Sequence, residues 1–292
     1  MAFNGTDHTD IAGVVLAAGA GTRLRPLTTV RPKPLCTVGG RPLLDWALAR
    51  VSAYAGTVAV NVHHHADQML AALADRDVHV SYEQPEALGT AGALGLLRNW
   101  VDGRPVLLTN ADAWYPPAGD QVVADLVAGW DGERPRLLCV PSPDRRDFED
   151  LHYVGTALLP WWSVRDLAPQ PAGLYEVSWS QMHREKRLDL VRADLEAIDC
   201  GTPADYLRAN MSATGGRPAV EPGAVVEGVV ERSVVWSGEL RSSDRSVDVY
   251  VSKLRAKLEL ALPRWRYIHT HFGFGYRFSP EPVVRRVEAR RL

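Results

Sequence analysis

The sequence predicts an α/β fold: a doubly wound, mostly parallel sheet, followed by a short hexapeptide-repeat remnant and a C-terminal helix plus β-hairpin. Three observations point there. Short apolar runs alternate with helix-period segments through the first 210 residues. The motifs richest in chemistry fall directly after apolar runs, where open α/β sheets bind ligands. The charge also splits. Residues 241–292 carry 12 Lys+Arg against 5 Asp+Glu, a net of +7, while residues 1–240 carry 21 against 30, a net of −9.

Taken in order, Ile11–Ala18 (IAGVVLAA) reads as a buried strand that ends in glycines. Leu43–Val51 places apolar residues at helical spacing. Thr57–Val62, Val78–Tyr82, Pro105–Thr109 and Arg136–Val140 read as further strands, with Ala66–Leu73 and Thr90–Trp100 as helices. Residues 212–223 are rich in Gly, Pro and Ser/Thr and read as a linker. Small and β-branched residues then recur at six-residue steps, as in the first coil or two of a β-helix. Val247–Leu260 predicts a basic amphipathic helix and Tyr267–Phe278 a hairpin with glycines at its bend. The expected divisions are 1–211, 212–240 and 241–292.

Composition narrows the class. The chain has 292 residues, 46% hydrophobic and 23% charged, which excludes a disordered, collagen-like or coiled-coil chain. No run of about 18 apolar residues is present, so no membrane-spanning helix and no membrane partner are expected. MAFNGTDHTD has neither the basic start nor the apolar core of a signal peptide. The cysteines are Cys36, Cys139 and Cys200, an odd number without a CxxC pair. They fit a reducing, cytoplasmic setting better than a disulfide framework or a structural zinc site.

The segment LAAGAGTRLRPLTTVRPKPL, residues 16–35, carries the strongest signal. Gly19 and Gly21 allow a tight loop whose backbone N–H groups can turn towards an anion. Arg23 and Lys33 add fixed positive charge, and Pro26, Pro32 and Pro34 stiffen the connection. It is not a Walker A loop, because no GK[ST] follows the glycines. Only 4 of the 33 cationic residues are lysines, so Lys33 hints that a compact point charge is wanted here. His63, His64 and His65 are adjacent and cannot all face one ion, so they read as a strand-to-helix turn beside the cleft.

This segment resembles the signature of sugar-nucleotide pyrophosphorylases, the sugar-1-phosphate nucleotidyltransferases, and three further motifs extend the resemblance over residues 11–210. QPEALGTAG, residues 84–92, looks like the family's base-reading loop. Gln84 can donate to and accept from a base edge, and Gly89 would leave room for base and ribose. Thr90 there also reads as a helix cap. Thr109-Asn110-Ala111-Asp112 ends a strand where the family carries a metal-binding aspartate, with Ala111 in place of the usual glycine. Asp199, in IDCGTP, fits the second metal ligand, although Ala197 replaces a common aromatic residue. Thr202 before Pro203 reads equally as a helix N-cap.

The resemblance implies a Rossmann-like catalytic domain with Mg²⁺ as cofactor and a nucleoside triphosphate and a sugar 1-phosphate as partners. Nucleotide contacts would fall on Leu16, Ala17, Ala18, Gly19, Gly21, Thr22, Gln84, Gly89 and Thr90. Asp112 and Asp199 would hold metal, Arg23 and Lys33 would be catalytic, and Gly155 and Glu176 would meet the sugar. The LGTAG loop looks most like mannose-1-phosphate guanylyltransferases, with uridylyl or thymidylyl transfer, the sugar and the oligomeric state left open.

Residues 244–280 carry a second resemblance, to the end of an OmpR-type response-regulator winged helix. It implies DNA contacts at Arg245, Tyr250, Ser252, Lys253, Arg255 and Thr270, with Phe272 where a basic residue is common. The platform and first helices of that domain have no counterpart here, so a vestigial or opportunistic tail is favoured over a DNA reader, with docking on the acidic body as the plain account of its charge. Two other functions are weighed: a DNA-binding regulator that senses a sugar nucleotide, and a catalytically silent regulatory subunit. The joint presence of Arg23, Lys33, Asp112 and Asp199 favours the enzyme.

Overall fold

Apolar runs buried on both faces dictate the centre of the molecule. In a computed structural model of the chain, which describes residues 10–116, 119–143, 145–217, 219–220, 234–235, 246–271 and 275–283, they form one seven-stranded sheet. Its strands are β1 (Ala12–Leu16), β2 (Thr57–Val62), β3 (His79–Tyr82), β4 (Val106–Asn110), β5 (Arg136–Pro141), β6 (Leu151–Leu159) and β7 (Asp189–Arg192). The order is β7-β5-β6-β4-β1-β2-β3. β6 alone runs antiparallel to its neighbours, β4 and β5; every other pairing is parallel.

The period of two along β1 assigns its residues to opposite layers. Ile11 and Val15 pack with α1 (Leu43–Ser52), α2 (Ala66–Leu73) and α4 (Gly119–Val127), through Leu44, Val51, Met69 and Leu126. Ala12 and Val14 pack with α3 (Gly89–Val101), through Leu94 and Leu97. Helices therefore cover both faces, which is why the strands read as continuous apolar runs rather than alternating ones. The doubly wound, mostly parallel sheet is as expected.

A third cluster sits outside the sheet. Leu24, Leu27, Val38, Trp114, Ile198, Cys200 and Tyr206 are buried together between the glycine loop and α5 (Pro203–Ala213). Thr202 caps α5 by accepting from the Asp205 N–H at 3.2 Å, with Pro203 in the first turn. All three cysteines are buried and none is in a disulfide. No helix among the described residues is long and apolar enough to cross a membrane.

By its contacts the chain divides at Gly238 and Glu239 into two units. Near the end of the first, Ala219–Val220 pairs in parallel with Val234–Val235, and the rest of the expected repeat lies outside the described residues. The second unit contains α6 (Ser246–Ala261) and an antiparallel pair, β8 (Trp265–His271) and β9 (Gly275–Pro282). Arg255 ties α6 to β8: its Nε donates to the Ile268 carbonyl at 3.1 Å and its Nη2 to Thr270 Oγ1 at 2.7 Å. Two residues expected to meet DNA thus meet each other. Ser252 is exposed, Tyr250 and Lys253 fall on α6, and Arg245 and Phe272 lie outside the described residues.

The glycines of α3 yield the first testable consequence. A Cβ on Gly92 would lie 2.2 Å from the Gln170 carbonyl oxygen, and one on Gly95 2.5 Å from Ala168 backbone atoms. Gly→Ala inside a helix ordinarily gains about 1 kcal/mol. Here Gly92→Ala is expected to lower stability by about 1–3 kcal/mol, because the obstructing atoms are backbone. Urea unfolding reads the sign directly, and a stabilised variant would show that the 168–172 segment yields.

Candidate active site

The loop after β1 is held at both ends. Gly21 has φ +60°, and a Cβ there would come within 2.9 Å of Thr28 Cγ2, so only glycine fits the turn. Thr28 Oγ1 donates to the Gly21 carbonyl at 2.8 Å. Leu24 and Leu27 anchor the following turns in the third cluster. A short turn at Lys33–Leu35 then carries Lys33 inward, leaving its side chain 7% exposed. His65 Nε2 sits 3.0 Å from the Thr28 carbonyl, and His63 Nδ1 3.0 Å from that of Glu83. The three histidines thus form the strand-to-helix turn between β2 and α2. No group of three His, Cys, Asp or Glu side chains among the described residues is placed to hold a metal.

Two distant aspartates meet on Lys33. Asp112 follows β4, and a two-residue antiparallel ladder pairs Ala113 with Asp199 and Trp114 with Ile198. The Cys200 N–H closes it by donating to the Asp112 carbonyl at 2.9 Å. Both carboxylates consequently face one ammonium: Lys33 Nζ lies 2.8 Å from Asp112 Oδ2 and 3.1 Å from Asp199 Oδ1. Two further cations reach Asp199 Oδ2, Arg23 Nη2 at 3.5 Å and Arg145 Nη1 at 3.4 Å.

This charge arrangement sets the protonation states. Burial works against the Lys33 charge, but Asp112 and Asp199 outweigh it and hold its pKa above the ordinary lysine value. Burial would likewise raise Asp199, yet Lys33, then Arg23 and Arg145, pull it below the ordinary aspartate value. Two carboxylates converging on one cation form a hard oxygen donor set. Such a set fits Mg²⁺, which takes one or two carboxylates and leaves its remaining positions to phosphate and water.

Two cavities share Asp112 and Arg23, and Asp199 lines the second. One, of about 190 Å³, is lined by Leu16, Ala17, Gly19 through Arg23, Lys33, Asp112 and Gly201. Ala18 is buried beside it. The other, of about 260 Å³, is lined by Arg23, Asn110, Asp112, Arg145, His152, Tyr153, Gly155 and Asp199, among others. Gly155 lets the Asn110 side chain lie against the strand, since a Cβ there would meet Asn110 Nδ2 at 2.9 Å. The Tyr153 hydroxyl is buried with no partner among the described residues, a donor without an acceptor.

The remaining expected residues are placed differently. Glu176 is exposed on the turn Tyr175–Trp179, its carboxylate against Gly173, and it lines neither cavity. Gln84 is exposed ahead of α3. Gly89 is exposed, and on its Cβ side it lies against protein: a Cβ there would be 2.6 Å from the Ala172 carbonyl oxygen. Thr90 does not cap its helix, which begins one residue earlier; Thr90 Oγ1 accepts from the Leu174 N–H at 2.8 Å. The glycines of the LGTAG loop and α3 therefore seat the 168–172 segment.

Sequence reasoning passed over Arg145, Asn61 and Glu83. Arg145 stands in the polar run SPDRRDFED directly after β5, a position that should have attracted notice. Asn61 and Glu83 are buried polar residues at the ends of apolar strands, Asn61 within TVAVNV, and a polar residue in such a run needs a partner.

Comparison with known proteins agrees with this geometry. A family model described as MobA-like NTP transferase domain matches residues 13–198. A second, transcriptional regulatory protein, C terminal, matches residues 232–278. Curated relatives include N-acetylmuramate alpha-1-phosphate uridylyltransferase of Caulobacter vibrioides, 42% identical over 130 residues, 41% of this chain and 53% of that one. The Neisseria meningitidis protein of the same name is 38% identical, covering 34% of this chain and 46% of that one. Mannose-1-phosphate guanyltransferase of Aspergillus fumigatus is 36% identical, covering 34% and 29%. The matches span about half or less of these relatives' lengths. A solved structure from Bacillus anthracis, provisionally assigned as a glucose-1-phosphate thymidylyltransferase, overlays with TM-score 0.58 at 20% identity, covering 70% of this chain and 95% of that one. With the sheet and the family match over residues 13–198 in hand, the chain belongs to the MobA-like NTP transferase domain family.

Proposed function

We propose that the chain transfers a nucleotidyl group from a nucleoside triphosphate to a sugar 1-phosphate, releasing pyrophosphate. One observation carries this reading: the Lys33 ammonium bridges Asp112 and Asp199 where two cavities meet. Family membership and the uridylyl- and guanylyltransferase relatives support it.

The reaction joins two polyanions, so repulsion is the first obstacle. An acceptor phosphate oxygen bonds to the α-phosphorus while the bond from that phosphorus to the bridging oxygen breaks. Pyrophosphate leaves with the electron pair. The protein's share is positioning and charge stabilisation. The triphosphate lies along Gly19–Thr22, whose backbone N–H groups and Arg23 take the leaving charge. The sugar 1-phosphate fills the second cavity. There Arg145 draws in its phosphate, and Asn110 meets its hydroxyls. Lys33 holds the two aspartates side by side and, with Arg23 and Arg145, keeps Asp199 ionised. Asp112 and Asp199 would hold Mg²⁺, which when bound supplies charge neutralisation between the two substrates.

A panel of pyrophosphate-release assays tests the reading: UTP, GTP, dTTP, ATP and CTP against several sugar 1-phosphates, with and without Mg²⁺. Release with at least one pair, dependent on Mg²⁺, is expected; none with any pair would end the proposal. The relatives favour UTP or GTP as donor. In the active pair, Lys33→Ala and Asp112→Ala are each expected to lower turnover by about 10²-fold or more, about 2.7 kcal/mol in barrier.

Lys33→Met separates the charge role from the fold. Without the ammonium, burial pushes the Asp199 carboxyl up against Arg23 and Arg145 alone, and its pKa rises. A depressed folded-state pKa contributes stability that is present above the unfolded value and lost as pH falls through the folded one. The variant should therefore begin losing the Asp199 contribution at a higher pH than the wild type. Carboxyl ¹³C titration checks the shift, and an unmoved Asp199 would show that the arginines suffice.

The C-terminal match and the net charge of +7 beyond residue 240 favour a second reading, nucleotide-regulated DNA binding. Gel shifts across salt concentrations decide it: the expectation is weak, sequence-indifferent binding that vanishes with salt. Tight, sequence-selective binding would establish a DNA reader.

A further inference from the structure

Beneath the floor of the first cavity runs a chain of three short hydrogen bonds. Asn61 is 3% exposed and Glu83 fully buried. Asn61 Oδ1 accepts from the Ala17 N–H at 2.6 Å, and Asn61 Nδ2 donates to Glu83 Oε1 at 2.7 Å. Glu83 Oε2 accepts from the Leu88 N–H at 2.7 Å. Ala17 lines the cavity beside the glycine loop. Leu88 precedes Gly89 and opens α3.

The two ends of this chain are informative. Neither is a sheet residue: each is a loop N–H that needs an acceptor. The Ala17 N–H can only donate, so Asn61 must turn its oxygen there and its amide nitrogen to Glu83. The Leu88 N–H can only donate, so both Glu83 oxygens must accept. Every group has one permitted orientation. A buried carboxylate is expensive in a sheet flank that could carry apolar side chains, and what it secures is the spacing between two loops.

We propose that Asn61 and Glu83 are positioning residues that fix the QPEALG loop at a set distance from the glycine loop, and so set the affinity for the nucleoside triphosphate. This rests on the reading that the cleft takes such a ligand. Neither residue lines the phosphate-side cavity; each acts through the backbone it holds.

The fixed orientations give a reciprocal test. In Glu83→Gln the new amide nitrogen must face either the Leu88 N–H or Asn61 Nδ2, donor against donor. In Asn61→Asp two carboxylates face each other. The double variant N61D/E83Q swaps the two side-chain types. The carboxylate now at position 61 accepts from the Ala17 N–H and from the amide nitrogen now at position 83. The oxygen of that amide accepts from the Leu88 N–H, and the relay closes again. Steady-state kinetics and calorimetric binding with UTP and with GTP, each with Mg²⁺, read the outcome beside melting temperatures.

Each single variant is expected to raise the triphosphate KM and Kd by about tenfold or more while kcat at saturating triphosphate stays within about threefold. The double variant should return to within about threefold of wild type. Wild-type KM in E83Q, or a double variant no better than the singles, overturns the relay. Should a single variant fail to fold, the double alone decides: folded with near-normal KM supports the relay, and unfolded or weakly binding overturns it. A wild type that binds and converts none of UTP, GTP, dTTP, ATP and CTP overturns the proposed function and the relay together. An active wild type with indifferent variants overturns the relay alone.

Discussion

The site depends on one buried ammonium. Lys33 reaches Asp112 and Asp199 at once, and each of the three is delivered by a different piece of backbone. Lys33 comes from a proline-flanked turn, Asp112 from the end of a central strand, and Asp199 from a two-residue ladder that returns to it. An unpaired ammonium in that place would be costly, as would two facing carboxylates without it. The interior is stable because all three are present, and the cleft is charged for the same reason.

The ladder between Ala113–Trp114 and Ile198–Asp199 shows how the fold enforces this meeting. It lies outside the main sheet and is backed by the third cluster, with Trp114 and Ile198 buried and Tyr206 of α5 packed alongside. Tyr206 and Asn210 also bond the Thr37 carbonyl near the glycine loop. One small apolar cluster therefore anchors the loop, the ladder and α5, and the positions of both carboxylates follow from its packing. On either side the cavities differ in character. The first is walled by the glycine loop with Arg23 and Lys33, the second by Arg145, His152 and Tyr153. That asymmetry suits a phosphate chain on one side and a polyhydroxyl acceptor on the other.

Much of this was legible in the sequence, for physical reasons that differ by element. The strands and helices of the sheet announce themselves because burial on both faces leaves uninterrupted apolar runs, and all five expected strands and three expected helices of the first unit are found. Arg23, Lys33, Asp112 and Asp199 were readable as a set because they fall in ordered motifs after strands, and they converge. Arg145 was obscured because one arginine of a pair in a charged, mostly acidic loop has no local signature. Asn61 and Glu83 were hidden because their meaning lies in partners fixed only by strand order. Glu176 and the LGTAG glycines are harder to assign, because glycine and glutamate serve backbone packing and surface turns as readily as ligands. Gly92 and Gly95 exist for the 168–172 segment.

The central claim is that Lys33, Asp112 and Asp199 form the place where a triphosphate and a divalent ion are handled. A crystal structure of the protein with UTP or GTP and Mg²⁺ tests it most directly. The account predicts the phosphates along Gly19–Thr22 and the ion on both aspartates. A triphosphate seated elsewhere, or an ion that touches neither carboxylate, would contradict it.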